Sequence, residues 1–231
     1  MRGSIQFGSK KIDFKLEYSN RRTLGISVNP DLKVLIRAPL DTSMDKVKEK
    51  IRIKAPWILK QQSFFLSYHP KTPARKIIGG ETHLYLGRQY RLRIILSKSE
   101  SVKLDGKFIT VKTKNKFNTR HLIMKWYLQN AKLKFRYIAI PLISKFKKYK
   151  VEPESIILRT MKTRWGSCTP KGKIILNPEL IKAPKGCIEY VIIHELCHLV
   201  HHDHTQKFLD LQTKEMPEWE KWKMKLEKLL A

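Results

Sequence analysis

Hydrophobic and polar residues alternate in the first forty positions of the chain. "IDFKLEY" (Ile12–Tyr18), "TLGISVN" (Thr23–Asn29) and "LKVLIRA" (Leu32–Ala38) alternate or are rich in β-formers, and the breakers "SNRR" and "NPD" separate them, which predicts three strands. The period then lengthens. After Asp41, Thr42 or Ser43 as a cap, Val47, Ile51 and Ile58 recur at helical spacing, with Pro56 expected to kink or restart the helix. "HPKTPARKIIGGE" (His69–Glu81) reads as a loop. "THLYLG", "QYRLRIIL" and "SVKLDGKFITVK" return to alternation, with Asp105-Gly106 as a hairpin signal.

From about Thr119 to Tyr149 the pattern is helical, with Leu122, Trp126, Leu133, Tyr137 and Ile138 near one face and Pro141 expected to divide the helix. "SIILRT" (Ser155–Thr160) and "KIILNP" (Lys173–Pro178) read as short strands around a "RWGSCTPKG" turn. Helix resumes at about Ile188–Val200, near Thr205 and from Trp219. Strands first and helices later predict an α+β protein. It would have a β-rich region at 1–116 with one or two helices and a helical half with a short sheet at 117–231.

Composition narrows the class. No run approaches the ~20 apolar residues that cross a bilayer. No secretory signal opens the chain, so a cytoplasmic protein without membrane contact is expected. Three cysteines, Cys168, Cys187 and Cys197, fit reduced thiols better than a disulfide framework. The net charge of +28 is spread along the chain, with +17 up to Asn118 and +11 beyond it. Such a field favours polyanions, so contact of DNA or RNA with a basic surface is one expectation, and a lysine-rich solvated surface is the other.

The chemistry concentrates in "VIIHELCHLVHHDH" (Val191–His204), which holds five of the eight histidines. His194-Glu195-Leu196-Cys197-His198 fits H-E-x-x-H. On a helix, imidazoles four residues apart share a face and can bind one zinc ion, while Glu195 points about 100° round and can reach a water there. "CIEYVII" supplies the apolar face that anchors such a helix. For a third ligand, His202 continues the row and overshoots. His204 reaches back if the chain turns at His201–Asp203, leaving His201 and His202 exposed. A glutamate from a following helix, Glu218 with Glu215 and Glu220 beside it, is the rival. Cys197 is either an extra ligand or a small buried thiol.

With these residues in view, the chain resembles the YgjP-like zinc metallopeptidases, a family related to the SprT-like proteases and the minigluzincins. "RWGSC" (Arg164–Cys168), "ILNPEL" (Ile175–Leu180), "YVIIHELCHL" (Tyr190–Leu199) and "HTQKF" (His204–Phe208) carry the resemblance. "VLIRAP" (Val34–Pro39), "APWILK" (Ala55–Lys60) and "YLGRQYRLRI" (Tyr85–Ile94) extend it over nearly the whole chain. It implies one catalytic zinc ion on His194, His198 and His204, Glu195 as general base, and a peptide or protein substrate. In zincins an edge strand pairs with the substrate, a role expected here for the strand at Lys173–Asn177. Arg164 or Tyr190 is a candidate for stabilising the oxyanion. The alternatives are a basic nucleic-acid-binding protein with a structural metal, for which Trp57, Tyr90 and Trp126 are candidate aromatics, and a protease acting on DNA-bound proteins.

Overall fold

The computed structural model describes residues 1–29, 31–66, 76–161 and 164–230. The α+β layout is as expected, with strands first and helices later. The chain forms two compact units that divide between residues 66 and 76. The expected boundary near 117 therefore falls inside the second unit. Residues 69–75 of the expected loop, and Pro30 of the "NPD" turn, lie outside the described residues.

The first unit is a four-stranded sheet and one helix. Its strands β1 (Arg2–Phe7), β2 (Lys10–Tyr18), β3 (Gly25–Val28) and β4 (Val34–Ala38) are ordered β1-β2-β4-β3. The outer pairs are antiparallel and the central β2–β4 pair is parallel. Ile12, Phe14 and Leu16 alternate inward on β2 and pack with Val34 and Ile36. Val47, Ile51, Ala55 and Ile58 of helix α1 (Met44–Leu66) close this core. Strand β1 is missed by the sequence pattern because "RGSIQF" buries only Ile5 fully.

The second unit begins with the same topology. Strands β5 (Thr82–Tyr85), β6 (Arg88–Leu96), β7 (Ser101–Asp105) and β8 (Phe108–Thr113) are ordered β5-β6-β8-β7, again with a parallel central pair, and a long helix follows. The sequence shows no repeat, but the fold repeats a two-hairpin sheet followed by a helix. That helix, α2 (Thr119–Phe146), buries Ile123, Tyr127, Ala131, Phe135 and Ile138. The expected face was wrong in part: Ile138 is buried, whereas Leu133 and Tyr137 are exposed. The buried row steps almost strictly by four residues, so it winds round the helix and leaves those two outside.

Neither proline breaks its helix, contrary to expectation: α1 runs through Pro56 and α2 through Pro141. Both prolines, and Arg52 and Tyr137 four residues before them, are exposed. The carbonyls that lose their helical partner can therefore be hydrated, which removes most of the cost.

Beyond α2 lies a three-stranded sheet ordered β10-β11-β9, made of β9 (Ser155–Leu158), β10 (Gly166–Cys168) and β11 (Lys173–Leu176). Helices α3 (Lys185–Val200), α4 (Gln206–Glu215) and α5 (Trp219–Leu230) complete the unit. One core unites Leu92, Ile109 and Val111 of the β5–β8 sheet with Phe135 of α2, Leu176 of β11, Ile188, Ile192 and Leu196 of α3, and Phe208 of α4. Glycine is required where α5 crosses α3, because a Cβ on Gly186 would meet the Trp222 ring at 2.5 Å. No helix among the described residues is long and apolar enough to cross a membrane.

The end of α4 is pinned by a buried carboxylate. Glu215 receives Lys148 at 2.8 Å and Lys145 at 3.1 Å, and the Tyr149 hydroxyl donates to it. Burial alone would raise its pKa, but the hydrogen bonds from Lys148, Tyr149 and Lys145 hold it down to about 2. A folded-state pKa below the unfolded value means that the stabilisation is present above about pH 4.5 and is lost as pH falls towards 2. Glu215→Gln should therefore lower stability on the order of 2 kcal/mol at pH 7. In urea melts across pH, the gap from wild type should close through that acid window.

Candidate active site

Helix α3 is nearly all core on one side, with Ile188, Val191, Ile192 and Leu196 buried, and this fixes the direction of its polar face. His194 and His198 lie one turn apart on that face, their rings 4.9 Å apart between centroids. The helix ends at Val200, and His201 is already extended, with φ −131°. The chain turns there and brings His204 back, with centroids 5.0 Å from His194 and 4.6 Å from His198. Side-chain ligand atoms of the three histidines lie within 4.8 Å of one another. His201 and His202 contribute none of that group; His202 is exposed at the cavity rim.

The outer nitrogens of two rings are tied down. His198 Nδ1 faces the carbonyl oxygens of His201 at 3.3 Å and His202 at 3.1 Å. Carbonyls only accept, so the proton sits on Nδ1 and the Nε2 lone pair is free. His194 Nδ1 donates to Gln212 Oε1 at 2.7 Å. Its Nε2 then lies 3.1 Å from His204 Nε2. Two nitrogens on a tetrahedral zinc at about 2.0–2.1 Å each would be roughly 3.3 Å apart, so the spacing and the available lone pairs fit a metal ion. Burial pushes His194 down to about 4 and also lowers His198, so both rings are neutral at pH 7, as ligands must be.

Two residues that organise the cluster escape the sequence reading. Phe208 of α4 is fully buried, with its ring 4.6–5.0 Å from all three imidazoles. Gln212 is 1% exposed. A signal existed: His204, Phe208 and Gln212 are spaced by four, although His204 itself precedes the helix. The glutamate rivals are elsewhere. Glu215 is held by its lysines, and Glu218 is exposed and pairs with Lys221 at 2.9 Å. Cys197 is a fully buried thiol pushed up to about 12 by burial, and it is absent from the histidine group.

Glu195 is 4% exposed and lies against β10. Burial pushes its pKa up to about 8, opposed by the positive charge of Arg164 and by the Cys168 backbone N–H, which donates to its carboxylate. Within the expected turn "RWGSCTPKG", Gly166–Cys168 forms a strand and the turn itself follows it. Lys173–Asn177 is not the expected edge strand, because β11 is central, with β10 on one side and β9 on the other. The backbones of Trp165 and Thr169 bond inward to Asn177 and Lys173, so by alternation Gly166 and Cys168 turn theirs outward. A cavity of about 830 Å³ opens there, and its wall includes β10, Arg164, Tyr190, Glu195 and the three histidines. Tyr190, whose phenol burial keeps neutral, stacks on Trp219 at 6.3 Å. Of the other aromatics singled out, Tyr90 and Trp126 pack on the core, whereas Trp57 is 40% exposed.

Two histidines from a helix and a third from the turn after it thus lie beside a buried carboxylate and an edge strand. The YgjP-like metallopeptidase-domain model matches residues 22–229, and the chain belongs to that family. It is therefore a metal-dependent peptidase acting on peptides or proteins. Searches of curated proteins and of solved structures returned no match.

The contact between Gly166 and Glu195 is exacting, since a Cβ on Gly166 would lie 2.4 Å from Glu195 Oε1. Gly166→Ala should force the carboxylate aside and cost about 1–3 kcal/mol. Thermal melts and peptidase assays would show a loss of activity larger than the loss of folded protein.

Proposed function

We propose that the protein is a zinc-dependent peptidase in which His194, His198 and His204 hold one catalytic ion and Glu195 is the general base. The convergence of three imidazoles beside a buried carboxylate carries this reading. Three protein ligands, with an open cavity on the fourth side, suit a catalytic rather than a structural zinc. Bound there, zinc would polarise the scissile carbonyl and acidify the attacking water.

The rest falls to the chain's own groups. The substrate lies extended along β10, pairing with the outward backbone groups of Gly166 and with the Cys168 carbonyl. Because Cys168 N–H is committed to Glu195, the strand edge also orients the base. Glu195 takes the proton of the attacking water and returns it to the leaving amine. The Arg164 charge and the Cys168 N–H favour its carboxylate form before the transfer. Tyr190 and Arg164 line the cavity as donors for the oxyanion. Gln212 holds His194 in the tautomer that leaves Nε2 free.

Glu195→Gln should abolish cleavage of casein while zinc content stays at one ion per chain. Wild-type turnover in that variant would remove Glu195 from the role. His204→Ala should lower zinc content measured by atomic emission; full occupancy would reassign the third ligand. Gln212→Ala should weaken zinc about 10–100-fold in chelator competition, with the fold retained.

A further inference from the structure

We propose that the open face of the β5–β8 sheet binds single-stranded nucleic acid. The other face of this sheet, with Tyr85, Leu92, Ile109 and Val111, is packed into the core. The strand register places Arg91 and Arg93 of β6, Phe108, Thr110 and Lys112 of β8, and Lys103 of β7 together on the outer face. All four cations are exposed, and one carboxylate, Asp105, shares the face. Arg93 meets it at 3.7 Å, whereas Arg91, Lys103 and Lys112 have no ion pair among the described residues.

Two features distinguish this face from a merely solvated one. Thr110 lies in the middle, between Arg93 and Lys103 on the neighbouring strands, and is only 8% exposed. Its hydroxyl is buried without a hydrogen-bond partner among the described residues. A buried hydroxyl flanked by two cations suits a phosphate oxygen, which accepts what Thr110 can donate. Beside it, the Arg93 guanidinium lies 3.7 Å over the Phe108 ring, and such planar groups are what an unpaired base stacks on. Cations tracking a phosphate chain next to a stacking plane fit an unpaired strand, whose bases are free to turn onto the protein. The net charge of +28 adds long-range attraction. This site is independent of the peptidase reading, since none of its residues touches the histidine cavity.

The test is fluorescence anisotropy with a labelled oligothymidylate, titrated at several salt concentrations, using the Glu195→Gln protein so that catalysis plays no part. Replacing Arg91, Arg93, Lys103 and Lys112 by alanine should cut affinity at least tenfold and lower the slope of log K against log salt by about 2–3. A control that removes Lys46, Lys50, Arg52 and Lys54 from α1 loses the same charge and should bind nearly as wild type. Thr110→Val should weaken binding several-fold with the slope unchanged, because a neutral donor releases no counterion. Asp105→Asn should tighten it by freeing Arg93. Equal losses in the sheet and α1 variants would show that only bulk charge matters and would overturn the proposal. So would tighter binding of a duplex of the same length, binding of phosphatidylserine vesicles in place of the oligonucleotide, or no binding at low salt.

Discussion

Three imidazole rings with nitrogens within 4.8 Å of one another must be held together, and the remainder of the second unit is arranged to do so. The buried side of α3 sets the direction of His194 and His198. The early stop at Val200 supplies the turn that returns His204, and the carbonyls exposed by that turn fix the His198 tautomer. Phe208 packs against all three rings and limits their movement on that side. The lysines around Glu215 anchor the far end of the helix that carries Phe208 and Gln212.

Much of this was legible in the sequence, for identifiable reasons. His194, Glu195 and His198 are local on one helix, so their spacing fixes their relative direction. His204 was readable because Asp203 and its histidine neighbours interrupt the apolar period. The alternation of β2 is clean because one of its faces is buried and the other is wet. Less legible were features that depend on distant partners. Strand β10 is three residues long and holds a glycine that owes its identity to Glu195, 29 positions later. Read alone, "RWGSCTPKG" has the composition of a turn.

The prolines and the exposed apolar residues of α2 mark the limit of periodicity arguments. Pro56 and Pro141 would end a helix whose lost carbonyl partner was buried; on the solvent side water replaces that partner. Leu133 and Tyr137 fit an apolar stripe by count but fall outside because the buried row precesses. The repeated sheet topology left no trace in the residues either. Strand order depends on which edges pair, and many sequences satisfy the same pairing.

The dual allegiance of α2 sets the evolutionary freedom of the two sheet-and-helix modules apart. In the first unit, β1–β4 and α1 form a self-contained apolar cluster, so drift there is judged by its own packing alone. In the second, Phe135 belongs to one cluster with residues of the β5–β8 sheet and of α3, the helix that bears His194 and His198. Substitution under that sheet is therefore answerable to the chemistry as well, and the module cannot be exchanged wholesale without re-tuning the centre beside it.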